Sequence, residues 1–92
     1  MVPIHPGRIL RRELQARGLS ANALARALRV PSGRVVDILN GKRSISAETA
    51  LRLGRHFGND ALFWINLQAQ YDLAVAEREV GRRVKREVER AA

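Results

Sequence analysis

Residues 20–43, Ser-Ala-Asn-Ala-Leu-Ala-Arg-Ala-Leu-Arg-Val-Pro-Ser-Gly-Arg-Val-Val-Asp-Ile-Leu-Asn-Gly-Lys-Arg, leave this chain little conformational choice. Ser20 is a natural N-cap, the alanine-rich run behind it has high helix propensity, and Leu24 and Leu28 stand four apart on one face. Pro31 disfavours a helical Val30 and so imposes a break. A second short helix then spans about Ser32 to Leu39, with Val35, Ile38 and Leu39 turned inward and Gly41 as its stop. Two such helices folded back across a tight turn read as a helix-turn-helix, a device that presents one helix to the DNA major groove.

The flanking segments are also helical in pattern. Pro6 suits a first helical turn, Ile9, Leu10 and Leu14 share a face, and Gly18 ends the element. Arg8, Arg11 and Arg12 lie off that face, toward solvent or a phosphate. Ser46, with Glu48 and Thr49, opens a fourth helix carrying Ala50, Leu51, Leu53 and Phe57, and Gly58 closes it. Asp60 is placed to cap a fifth. That last helix has two apolar stripes, Leu62-Ile65-Ala69-Leu73 and Trp64-Leu67-Tyr71-Val75, where a surface helix needs one. The stripe of Trp64, Leu67, Tyr71 and Val75 is therefore expected to meet a second copy of the chain, with the amino-terminal segment as the other choice. Residues 77–92 are highly charged, with a possible Glu79–Arg83 pair, and are expected to form a fraying helical extension or tail beyond a domain of residues 1–76.

Composition narrows the function. Ninety-two residues make one domain without room for a large active-site cleft. Seventeen Lys and Arg against nine Asp and Glu give a net charge of +8, of which residues 20–45 carry the largest share, +4, and this favours a polyanionic partner. Cysteine is absent, which excludes disulfides and thiolate metal sites. His5 and His56 have no ligand-spaced companions, and no Ser, His and Asp group as a triad, so no catalytic residue, metal, cofactor or small-molecule substrate is expected. With only four aromatic residues the chain is poorly equipped to stack on single strands. Neither a signal peptide nor a membrane span is visible, and a cytoplasmic location is the expectation.

Five helices with the motif in the second and third resemble the all-α lambda-repressor-like, or Xre-type, fold. More narrowly, His5-Pro6-Gly7-Arg8-Ile9-Leu10, Leu19-Ser20-Ala21-Asn22-Ala23-Leu24-Ala25, Asn40-Gly41-Lys42-Arg43, Thr49-Ala50-Leu51-Arg52-Leu53 and Phe63-Trp64-Ile65-Asn66-Leu67-Gln68-Ala69-Gln70-Tyr71-Asp72-Leu73 together resemble the HigA (VapI) antitoxins, over about residues 4–76. The resemblance implies a homodimer that binds double-stranded operator DNA at its own promoter and neutralises a RelE-like mRNA endonuclease, a HigB-type toxin, encoded beside it. It also implies that the start of the third helix meets base edges, through Ser32, Gly33, Arg34 and Asp37. Arg34 can donate two hydrogen bonds to guanine, Gly33 lets the backbone come close, and Asp37, repelled by phosphates, is better suited to orient Arg34 than to accept from cytosine. Ser20, Asn22, Lys42 and Arg43 suit phosphates, and Asn40 either joins them or closes its helix. Many related motifs carry glycine where this chain has Arg29. Two other readings stay open: a stand-alone Xre-type regulator without a toxin, and a protein-interaction module that has lost operator recognition.

Overall fold

The computed structural model describes residues 2–91, and among these the secondary structure is entirely helical: α1 (Pro6–Arg17), α2 (Ala21–Leu28), α3 (Ser32–Leu39), α4 (Ala47–Phe57) and α5 (Ala61–Glu87). Local chemistry accounts for most of the boundaries. Ser20 and Ser46 accept from the N–H groups of Ala23 (3.1 Å) and Thr49 (3.2 Å), capping α2 and α4. Asp60 occupies the cap position of α5 but makes no capping hydrogen bond. Gly18 and Gly58 end α1 and α4 in the left-handed conformation. Arg29 does the same for α2 at a φ of 59°, the one positive φ outside glycine among the described residues.

The core gathers Leu10 and Leu14 of α1, Leu24 and Leu28 of α2, Val35 and Ile38 of α3, Leu53 of α4 and Trp64 of α5. Trp64 corrects the sequence reading, because it has no exposed surface and its indole N–H donates to Asn59 Oδ1 at 3.0 Å. The ring therefore has no area left for a second copy. The opposite stripe is the open one, with Leu62 and Leu73 exposed by 63% and 70%. The reason is volume: Trp64 fills the space beside Phe57, and seating it inward turns Leu62 and Leu73 out.

Helix α5 continues through Gly81 to Glu87, and its outer pair is Arg83–Glu87 at 3.5 Å rather than Glu79–Arg83. Its last fully buried side chain is Gln68, so the helix outruns the body it packs on and the molecule measures 51 × 22 × 22 Å. None of the described helices is long and apolar enough to cross a membrane.

Candidate nucleic-acid interface

Helix α2 packs on α3 and positions the start of α3, where Ser32 and Gly33 are exposed and Arg34 is half-buried. Pro31 stands at the N-cap of α3 without a side-chain hydrogen bond to the first turn. The Arg34 N–H donates to the Pro31 carbonyl at 3.1 Å, while the N–H groups of Ser32 and Gly33 ahead of it are open to an external acceptor. Apart from its chain neighbours and its own helix backbone, no heavy atom lies within 4 Å of where a Cβ on Gly33 would be, so the backbone there is bare. Asp37 lies one turn behind Arg34 and is half-buried, yet the two make no ion pair; the pairs among the described residues are Glu13–Arg17, Glu48–Arg52 and Arg83–Glu87. The expected orienting role of Asp37 is therefore not realised in the free protein, and the Arg34 guanidinium is not held by it.

Ser20 and Asn22 are exposed at the start of α2, the Ser20 oxygen already serving as the cap. Lys42 and Arg43 are exposed just past the other end of α3. Asn40 is differently placed: its Oδ1 accepts from Arg11 of α1 at 3.3 Å, and the same guanidinium donates to the Leu39 carbonyl. Asn40 thus stands at the C-cap of α3 with its side-chain oxygen engaged by α1. A cation at the negative end of the α3 dipole also steadies the helix.

Sequence reasoning missed the part played by α1. Gly7 lies so close to the α3 backbone that a Cβ would collide with the Ile38 carbonyl, and Pro6 beside it is fully buried. His5 is the N-cap of α1, its Nδ1 accepting from the Gly7 N–H at 2.9 Å. The available signal was Pro6: a proline at the first helical position marks the residue before it as the cap. The His5 ring also meets Tyr71 of α5 edge-on, with centroids 4.9 Å apart. Burial lowers the affinity of this imidazole for protons, against the opposing pull of Asp72 and of a hydrogen bond with the Arg43 backbone.

Beyond α3, the segment leading to α4 is secured by Gln68, which is buried in α5. Its Oε1 accepts from the Ile45 N–H at 2.8 Å while its Nε2 donates to Asp72 Oδ1 at 2.9 Å.

A helix-turn-helix family model matches residues 10–64. The solved structure of an addiction module antidote protein of the HigA family from Coxiella burnetii is 49% identical and superposes with a TM-score of 0.96 over 99% of this chain and 100% of that one. The chain belongs to the HigA family. Antitoxin HigA from Pseudomonas aeruginosa, solved with the higBA promoter, is 48% identical with a TM-score of 0.95 over 99% of this chain and 100% of that one. Virulence-associated protein I from Dichelobacter nodosus is 54% identical over 80 residues, covering 86% of this chain and 74% of that protein. This HigA-family chain thus has the all-α, lambda-repressor-like fold that the sequence motifs implied.

Proposed function

We propose that this protein binds the operator of its own operon as a homodimer, represses it, and neutralises a RelE-like mRNA endonuclease encoded beside it. The observation that carries the reading is whole-chain similarity to an antitoxin solved with its promoter, joined to an open α3 N-terminus that exposes Ser32 and Gly33 beside the half-buried Arg34. Arg34 reads guanine, Gly33 brings the backbone near a base edge, and Ser20, Asn22, Lys42 and Arg43 hold phosphates. Two recognition helices related by a two-fold axis enter successive major grooves about 34–36 Å apart.

For pairing we favour the surface of Leu67, Tyr71 and Val75, without Trp64. Leu67 and Tyr71 line an apolar groove of about 200 Å³ whose other wall is the amino-terminal segment Val2-Pro3-Ile4. Exposed Val2 and Ile4 there suit a second copy of the same surface.

Mobility shifts on the DNA upstream of the gene test the repressor reading. Arg34→Ala is expected to abolish preference for the operator over random DNA, whereas Lys42→Ala weakens binding to both and flattens the salt dependence. Equal losses on both DNAs for Arg34→Ala would contradict its role. Rescue of growth on co-expression with the neighbouring RelE-like protein tests neutralisation, and failure to rescue removes that part.

A further inference from the structure

The His5-Pro6-Gly7 start is built against the far end of the recognition helix rather than against its reading end. Gly7 touches the Ile38 carbonyl, Arg11 holds Leu39 and Asn40, and the His5 Cγ lies 3.8 Å from where a side chain on Gly41 would begin. The next residues, Lys42 and Arg43, are the exposed cations of the loop. This loop is tied at its near end by the Lys42 N–H, which donates to the Asp37 carbonyl at 2.8 Å, and at its far end by Gln68 on Ile45. Between those ties stands the His5 ring. Its Nδ1 accepts from Gly7 and so carries no proton, which leaves Nε2–H as the ring's donor. The ring also packs against Tyr71 in a T-shaped contact.

We propose that His5 is a positioning residue for DNA binding: by joining the start of α1, the loop at Gly41–Arg43 and Tyr71 of α5, it sets where Lys42 and Arg43 stand relative to the recognition helix. Long basic side chains find phosphates in a fixed register only if their Cα atoms are held, and that holding falls to the shell behind them. Capping alone would not call for histidine. Asn and Ser are the ordinary N-caps and reach only their own first turn, whereas the imidazole spans from that turn to the loop. The proposal rests on Lys42 and Arg43 being phosphate contacts.

The test is His5→Asn, with His5→Ser as a second competent cap, measured by thermal unfolding, by amide hydrogen exchange at residues 41–43, and by fluorescence anisotropy on the upstream duplex across a salt series. Expected are a midpoint near that of the unsubstituted protein, faster exchange in the loop, roughly tenfold weaker operator binding, and a salt slope shallower by about one to two. Affinity and slope unchanged in folded variants would overturn the proposal, as would a loss of affinity no larger than the unfolded fraction explains. The double variant Lys42→Ala/Arg43→Ala separates the two levels. If it leaves affinity and slope intact, the phosphate reading falls and takes the role of His5 with it; if it weakens binding while the His5 variants do not, only the role of His5 is lost.

Discussion

Gly33 and Arg29 are two residues at which backbone preference and surroundings point in opposite directions. An alanine at Gly33 meets no atom and sits in the first turn of a helix, so Gly33→Ala is expected to stabilise the fold by about 0.5–1 kcal/mol. Under the proposed DNA-reading role operator binding should nonetheless weaken, because the added methyl would stand between the backbone and a base; a variant with higher stability and full affinity would remove Gly33 from the proposed interface. Arg29 holds a left-handed conformation that costs an ordinary residue about 1–2 kcal/mol. Chemical denaturation of Arg29→Gly is accordingly expected to show a stability gain of up to about 1 kcal/mol. Positions of this kind can be read from sequence because they turn on neighbours within a few residues. Ser20, Ser46, Gly18 and Gly58 were legible for the same reason. Trp64, Arg11 and His5 were not, since their places depend on which surface a distant helix offers.

Helix α1 acts as a bracket on the C-terminal half of α3, and the sequence showed the helix without showing the bracket. Its apolar face was evident from Leu10 and Leu14, whereas Gly7 stood out only as part of the His5-Pro6-Gly7 start and Arg11 was expected to face solvent or a phosphate. Because the atom facing Gly7 is main chain and cannot swing aside, Gly7→Ala is expected to destabilise by at least 1–3 kcal/mol, roughly the cost of overpacking, as read by urea unfolding. His5 adds a pH dependence to the same bracket. Its folded-state proton affinity lies below the ordinary value of 6.5, so the unfolded chain takes up the proton first on acidification. The contribution of the neutral ring is complete above pH 6.5, declines as pH falls below it, and levels off under the folded-state value. Urea titrations between pH 7.5 and 5 should show this decline in the native chain and lose it in His5→Asn.

On the scale of the whole molecule, the surface assigned to pairing combines a groove between the amino-terminal segment and α5 with the half-buried Val75 farther along the helix. Ile4→Asp or Val75→Asp places a charge there without entering the core. Sedimentation is expected to show a shift to monomer for both, with the helical spectrum retained and operator affinity lowered because paired half-sites can no longer be held together. A dimer that survives both changes would move the contact elsewhere. The all-helical architecture and the order of its elements could be read in advance from caps, stops and apolar spacing. The rotation of α5 about its axis could not, because two apolar stripes compete and only the seat of the Trp64 ring decides between them.

Beyond Gln68 the long helix has almost no duty toward the core, and this bears on how such a protein diverges. Substitutions along residues 73–87 can alter charge and shape with little penalty to folding. A genome carrying several proteins built on this plan could therefore let this stretch drift, Val75 of the proposed pairing surface included, so that cousins fit one another less well while the DNA-reading half stays untouched.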